Sequence, residues 1–279
     1  MISFGLFAII KIAASILIVV SLSLIAERVG PRAAGIISGY PLGAAITLFF
    51  IGIEISPDFA ADSAVYTAAG LAATVAFVAG YLLGLGWAKK FNPVSGIGIS
   101  LIPALAAYGL SAWLLSLIPI NWIGAVLIAT ACILLAMWRF RTIANASISE
   151  PFRLRFGTTM ARAAFAALVI LTITTVAQVV GPQWAGFFSA FPSTMMPLLV
   201  IVQFTHQPAH VRTIIKNVPR GLQSLLVYVV IVAVTYGRWG IIWGTVLGYA
   251  AATLYLLTLE YLKFGKRRSM PYALKEKKS

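Results

Sequence analysis

Charged residues are scarce in this chain of 279 residues. Asp, Glu, Lys and Arg make up only 10% of it, and apolar residues make up 61%. An average soluble domain carries roughly 25% charged residues. The composition excludes an ordinary water-soluble protein, because no single globular core could bury so much apolar surface. At about 20 apolar residues per spanning helix, the chain has room for around nine transmembrane helices. It predicts an all-α, polytopic membrane bundle.

Cysteine and acidic residues are scarcer still, and their scarcity excludes several kinds of chemistry. The single cysteine, Cys132, lies in an apolar run, so the chain has neither a disulfide framework nor a Cys/His zinc pattern. None of the 7 acidic residues falls at the middle of a predicted span, which argues against a carboxylate proton relay. A phosphate-binding loop, a G-x-S-x-G elbow and paired carboxylates within a span are also missing. We therefore expect neither an enzyme nor a bound cofactor.

The two histidines, His206 and His210, stand four positions apart. That spacing can bind zinc on a helix. Pro208 lies between them and disrupts a helical pair, so we predict no metal site.

Windows of about 19 residues predict nine transmembrane helices. Their approximate ranges are 4–26, 32–53, 64–87, 95–118, 121–138, 160–180, 183–204, 221–237 and 239–262. With the N-terminus outside, every Lys and Arg except Lys11 and Arg238 falls on the cytoplasmic side, as the positive-inside rule requires. The charges predict an outer N-terminus and a cytoplasmic C-terminus, and they explain the net charge of +14 without a nucleic-acid partner. The basic tail, 263–279, is expected either to be solvated or to contact anionic lipid headgroups.

One segment of the chain recurs 151 positions later, where residues 26–57 align without a gap on residues 177–208. Apolar helices match by chance on Leu or Val, but scarcely on glycine, proline and serine. Duplication is therefore the economical explanation. The identical pairs of these types are Gly30/Gly181, Pro31/Pro182, Gly35/Gly186, Ser38/Ser189, Pro41/Pro192 and Pro57/Pro208.

The duplication predicts how the chain is organised. Residues 1–120 form a first repeat of four helices, 121–156 a linking helix and a basic cytoplasmic loop, 157–262 a second repeat of four helices, and 263–279 the tail. Because the copies begin at the first and sixth spans, they would lie in the membrane with opposite orientations. Inverted repeats of this kind build many secondary transporters. The alternative is a duplication that only enlarged a scaffold.

Pro41 and Pro192 each stand ten residues into a predicted span, about 15 Å deep and close to the bilayer midplane. A proline there frees the carbonyl four residues back and kinks or breaks the helix. We predict a substrate site where the two interrupted helices meet. Its residues are Gly35, Ser38, Tyr40, Pro41, Gly186, Ser189 and Pro192. The alternative is a simple kink in which each serine bonds to its own backbone.

Two cations also repeat at this offset. Lys11 and Arg162 each stand near the start of the first helix of a copy. A cation within a span is a candidate for binding. Together with the positive N-terminal ends of the half-helices that follow the prolines, it would attract an anion. We therefore add both residues to the site and expect a small organic anion or a lipid phosphate. The alternative is that both side chains reach the headgroups.

Glu27, which aligns with Gln178, is the best candidate for a group that couples transport to an ion. Its alternative is a pairing with Arg28 at the end of the first helix. Sodium bound by backbone carbonyls, uncoupled exchange and downhill export stay open.

The stretch from Lys11 to about Leu83 carries the pattern K-x(15)-E-R-V-G-P-R-x-A-G-x-x-S-G-x-P-L. It resembles the GlpM-like small inner-membrane proteins of bacteria, which look like single-repeat versions of this chain. The resemblance implies a bacterial-type inner membrane and a dimerising or duplicated bundle, and it names no substrate. Gln183 stands in the second copy where the first has Arg32.

The sequence thus favours a membrane transporter. A membrane scaffold or assembly protein and a channel are the alternatives from other classes. The expected partners are membrane lipids and a small anion, and association into a homo-oligomer stays open.

Overall fold

The computed structural model describes residues 4–146 and 156–268. Within these ranges the chain is all-helical, which agrees with the predicted fold class. A single 3₁₀ turn occupies Ala88–Lys90. The α-helices are α1 (Phe4–Gly39), α2 (Gly43–Glu54), α3 (Pro57–Trp87), α4 (Pro93–Ser116), α5 (Trp122–Phe140), α6 (Phe156–Ser189), α7 (Met195–Thr205) and α8 (Pro208–Arg268).

Six stretches of the described residues are long and apolar enough to cross a membrane. They are Pro31–Glu54, Pro57–Trp87, Val94–Ser116, Trp122–Phe140, Thr159–Ser189 and Pro208–Leu259. The architecture is that of a helical membrane bundle.

Two helices change direction at a glycine. Gly181 in α6 has φ 77° and ψ 170°, and Gly240 in α8 has φ 79° and ψ 168°. Only glycine adopts this conformation readily. Each glycine therefore divides its helix into two segments. Gly181-Pro182 is the junction expected between two spans, and Gly240 lies next to the boundary predicted between 237 and 239.

The helical hydrogen bonds of α1 continue through Gly30-Pro31, so α1 is a single helix where the sequence predicts a helix end. The contact between Lys11 and Glu54 nevertheless indicates that the helix is bent. A straight helix would separate Lys11 from Gly39 by about 42 Å, whereas α2 extends only about 16 Å from Gly43 to Glu54. Lys11 still contacts Glu54. Sharp bends in helices are almost always found at proline or glycine, so Gly30-Pro31 is where we expect the bend.

Two helices begin earlier than the sequence predicts. α3 begins at Pro57 rather than near 64, and α8 begins at Pro208 rather than near 221. Proline suits the first helical position, where its missing N–H costs nothing. The Ser56 hydroxyl also accepts from the Phe59 amide at 3.1 Å. Hydropathy windows missed these turns because they are polar. The stretch that the predicted spans leave as a loop before 221 is helix from Pro208.

The first segments of the two copies run side by side in opposite directions. Lys11 of α1 contacts Thr174 of α6, whereas Ile16 and Val20 pack around Ala163 and Ala166 earlier in α6. One residue number rises along the contact as the other falls. α1 and α6 are therefore antiparallel here.

The centre of the bundle is α3, which packs on α4, α5, α6 and α8. Small residues allow this close packing, as in many membrane helices. Ala60, Ala64 and Ala73 are fully buried on α3. A Cβ added to Gly84 would clash with the Ile99 carbonyl of α4.

Candidate functional site

Two breaks interrupt the helices at the predicted prolines. Residues 40–42, around Pro41, separate α1 from α2, and residues 190–194, around Pro192, separate α6 from α7. Each proline ends one helix and is followed by a second, shorter helix of 11 or 12 residues.

The two breaks share a backbone hydrogen bond on the N-terminal side of the proline. Tyr40 N donates to Ile37 O at 3.1 Å, and Phe191 N donates to Phe188 O at 3.0 Å. The carbonyls that the prolines free are therefore satisfied within their own chain segments.

The residue after each proline also donates back across it. Leu42 N donates to Tyr40 O, and Ser193 N donates to Phe191 O, both at 2.7 Å. Each proline is thus the centre of a three-residue γ-turn. The two copies therefore have equivalent local structure at the prolines, although Met196 N also donates to Pro192 O at 2.8 Å and the aligned Ala45 N makes no such bond.

The two predicted serines bond to their own helices. Ser38 Oγ donates to Ala34 O at 2.6 Å, and Ser189 Oγ donates to Ala185 O at 2.7 Å. Both are buried. Their hydroxyl protons are used one turn back, as in the simple-kink alternative, although their lone pairs can still accept.

The predicted glycines pack each copy against the other. A Cβ on Gly35 would clash with the Ile214 carbonyl of α8 and lie 3.0 Å from Asn217 Cβ. A Cβ on Gly186 would clash with the Ser63 carbonyl of α3 and lie 2.6 Å from Tyr66 Cβ. Ile214 follows Ser63 by 151 positions, as Gly186 follows Gly35. The two contacts are therefore equivalent, with the roles of the first and second copy exchanged, and we call them exchanged contacts.

A second exchanged pair lies one turn further along. Gly221 of α8 lies against Gly39, and Gly70 of α3 lies against Ala190. Gly221 follows Gly70 by 151 positions, and Ala190 follows Gly39 by 151 positions, so each contact is again the counterpart of the other. Since residue numbers rise together along both contacts, the end of α1 runs parallel to α8, and the end of α6 runs parallel to α3.

The two breaks meet at Gly43 and Ser193. A Cβ placed on Gly43, the first residue of α2, would lie 2.5 Å from Ser193 Oγ and 3.6 Å from Thr194 Cγ2. Ser193 and Thr194 are each only 4% exposed. The start of α2 therefore faces the start of α7 inside the bundle.

Both breaks accept hydrogen bonds or make hydroxyl contacts with side chains of neighbouring helices, which the sequence did not single out. At the first break, Tyr249 Oη donates to Pro41 O at 3.0 Å, and the hydroxyls of Tyr40 and Thr253 are 2.7 Å apart. Tyr249 and Thr253 stand four positions apart on an apolar helix, so they share a face. That spacing is the one signal that could have found them.

At the second break, Thr74 Oγ1 donates to Ala190 O at 2.7 Å, and Tyr108 Oη donates to Phe187 O at 2.5 Å. The ring of Phe191 packs edge-on against Tyr108, with centroids 5.2 Å apart. Long-range packing creates these contacts, so no local pattern predicts them.

Lys11 lies away from the breaks. It is 4% exposed, its Nζ is 2.5 Å from Glu54 Oε1, and it donates to Thr174 Oγ1 at 2.9 Å. Glu54 is the last residue of α2, about 16 Å along the helix from Gly43. The structure therefore gives this cation an acidic partner at the far end of α2.

The structure says less about the remaining candidates for anion binding and ion coupling. The side chains of Arg162 and Glu27 lie outside the described residues, and Gln178 is exposed on α6.

Two cavities lie beside the linking helix α5. One of about 390 Å³ lies between α3, α5 and α8, with Trp122 and Arg238 in its lining. The other, about 440 Å³, lies between α3, α4 and α5, with Cys132 and Arg139 in its lining. The remaining lining residues are mostly Ala, Val and Leu. Each cavity thus combines an apolar wall with one arginine.

No protein-family model matches the chain, and no curated protein or solved structure matches it either. The likeness to GlpM-like proteins rests on the sequence motif alone.

Proposed function

We propose that this chain is a membrane transporter that binds a small organic anion or a lipid phosphate where its two broken helices meet. The observation that carries the proposal is the contact of Gly43 with Ser193, since it joins two interruptions of buried helices from two copies of one motif. Broken helices that meet inside a bundle are the usual substrate sites of repeat-built carriers.

The proposal includes nine spans in an inverted repeat, with the N-terminus outside and the C-terminus in the cytoplasm. In that topology the first and sixth spans run in opposite directions, the second runs parallel to the eighth, and the third runs parallel to the seventh. The antiparallel contact of α1 with α6 supports the first relation. The parallel contacts at Gly35 and Gly186 support the other two.

Transport would proceed by rocking of one copy against the other. The exchanged glycine contacts support this mechanism, because two equivalent interfaces can open and close alternately. In this proposal the protein resides in a bacterial-type inner membrane and catalyses no reaction.

Lipid phosphate stands beside soluble anions as a candidate because of the cavities along α5. Their apolar walls suit acyl chains, and Arg139 and Arg238 suit anionic headgroups.

The test is flux in proteoliposomes that contain the full chain. The probes are a labelled monocarboxylate, a labelled phosphate ester, and a phosphatidylglycerol analogue whose leaflet is read by quenching. We expect saturable movement of one probe, reduced at least tenfold by Pro41→Ala and by Pro192→Ala. Pro103→Ala, at a proline within α4, is the matched control.

Two results would replace the proposal. Steady ion conductance without saturation would favour a channel. Folded protein that moves none of the probes would favour a scaffold.

A further inference from the structure

The starts of α2 and α7 face each other without neutralisation by any acidic residue near them in sequence. Each helix N-terminus carries about half a positive charge. None of the seven acidic residues lies within ten positions of either break. Two like charges that meet inside a bundle repel more strongly than they would in water. An anion between them turns this repulsion into two attractions.

Amide donors are unused at this point. Leu42 and Thr194, the residues that precede α2 and α7, form no side-chain cap. The first amide of α2 that donates is that of Ile46, so those of Gly43, Ala44 and Ala45 have no acceptor among the described residues. All three residues are buried, which keeps water from replacing the missing acceptor.

A buried hydroxyl points at the same place. Ser193 is 4% exposed, and its Oγ makes no hydrogen bond with any residue that the structure describes. The same atom lies closest to the position that a Gly43 Cβ would take. Buried serine hydroxyls in the neighbouring helices α6 and α8 bond to their own backbone, as those of Ser189 and Ser224 do. Ser193 therefore keeps its donor for another partner.

We propose that the Ser193 hydroxyl and the first amides of α2 bind an oxyanion group, either a carboxylate or a phosphate. Helix N-termini bind such groups through their N–H donors. Gly43, Ala44 and Ala45 place no bulky side chain over these amides. This inference rests on the proposed function, because it names the chemical group by which the transported substrate is held.

Thermal unfolding of the full chain in an uncharged maltoside detergent tests the proposal. The probes are inorganic phosphate, acetate and phosphatidylglycerol, with ionic strength matched by chloride and with phosphatidylcholine as the lipid control. We expect at least one probe to raise the melting temperature saturably. A response to phosphate or acetate identifies a free anion, and a response to phosphatidylglycerol alone identifies a lipid headgroup.

Ser193→Ala is expected to raise the half-saturating concentration about tenfold or more, because a hydrogen bond to a charged group is lost. Ser224→Ala, which removes an equally buried hydroxyl already bonded to Gly221 O, is expected to leave it unchanged. If Ser193→Ala does not fold, Ser193→Cys takes its place, since a thiol is similar in size and a weaker donor.

No saturable shift with any probe, or the same half-saturation in the Ser193 variant, would overturn the proposal. Flux and binding are read separately. An oxyanion shift that depends on Ser193, in a chain that transports nothing, would keep the anion site and refute the transporter. Transport of a probe without any such shift would keep the transporter and refute the anion site.

Discussion

Lys11 and Glu54 form an ion pair, with the lysine buried and the carboxylate partly exposed, that joins the first helix of the chain to the end of α2. Lys11 also donates to Thr174, so one ammonium group ties together α1, α2 and α6. This pair explains why a lysine stands inside an apolar helix without serving the breaks.

Replacing one partner of this pair is expected to be costly. Lys11→Met leaves Glu54 without its partner, and because this carboxylate is partly exposed we expect a loss of about 1–3 kcal/mol, between the values for exposed and fully buried pairs. The free energy of unfolding in detergent micelles measures the loss. The double variant Lys11→Met with Glu54→Leu should recover most of it. Lys90→Met, at an exposed lysine, is the control, and an equal loss there would contradict the assignment.

The exchanged contacts predict equal sensitivity at Gly35 and Gly186. Alanine at either position places a Cβ against a backbone carbonyl, which should cost about 1–3 kcal/mol in unfolding free energy. Gly109→Ala in α4 faces open space and should be neutral or stabilising by up to about 1 kcal/mol. A variant at Gly35 or Gly186 as stable as the Gly109 variant would show that the helices do not pack as described.

Gly181 and Gly240, where α6 and α8 change direction, are expected to lose stability on substitution through backbone strain rather than through a clash. Gly181→Ala and Gly240→Ala have free space for a Cβ, yet the φ values of 77° and 79° strain any other residue. We expect about 1–3 kcal/mol of destabilisation for each. Gly86→Ala, which also has free space but no positive φ, should show no such loss in the same melting experiment.

Cysteine labelling tests the proposed topology. In a Cys132→Ala background, Phe91→Cys and Leu117→Cys place single exposed thiols before and after α4, respectively. A membrane-impermeant maleimide applied to intact cells should label position 117 and spare position 91, because the proposed topology puts the C-terminal end of α4 at the outer face and its N-terminal end at the cytoplasmic face. Labelling of position 91 alone would invert the orientation, and detergent-opened cells provide the accessibility control.

His206 predicts a pH response at the cytoplasmic end proposed for α7. Burial lowers the pKa of its imidazole, and the charge of His210, whose ring centroid is 5.7 Å away, lowers it further. Because the folded chain binds this proton less readily than the unfolded one, the stabilisation is present above about pH 6.5 and is lost as pH falls through the lowered pKa.

NMR of labelled histidine can follow this titration, since the chain has only two histidines. We expect a His206 midpoint below about 6.5. His210→Gln should move that midpoint part of the way up, because burial remains. A midpoint that does not move would leave burial as the sole cause.

The sequence predicts the helical breaks because their cause is local. Proline removes a hydrogen bond at a known position, so Pro41 and Pro192 mark the interruptions directly. The same local reasoning misplaced the starts of α3 and α8, because a hydropathy window detects the lipid-facing length of a helix and not its polar turns.

The contacts of the candidate site could not be predicted in this way. Ser193 was passed over in favour of Ser38 and Ser189, because only the latter pair is repeated. Nothing local distinguishes a hydroxyl bonded to its own helix from one left unused. Likewise, the partners Lys11 and Glu54 are 43 positions apart, and their meeting depends on the bend in α1.

The exchanged glycine contacts also constrain how the chain is made. A ribosome that has completed α5 has delivered every residue of the first copy, yet the face around Gly35 and Gly39 still lacks the surface that covers it. That surface arrives only with residues 214–222. The earliest-made broken helix must therefore wait in the bilayer, held by lipid or by insertion machinery, until the last quarter of the polypeptide has been synthesised.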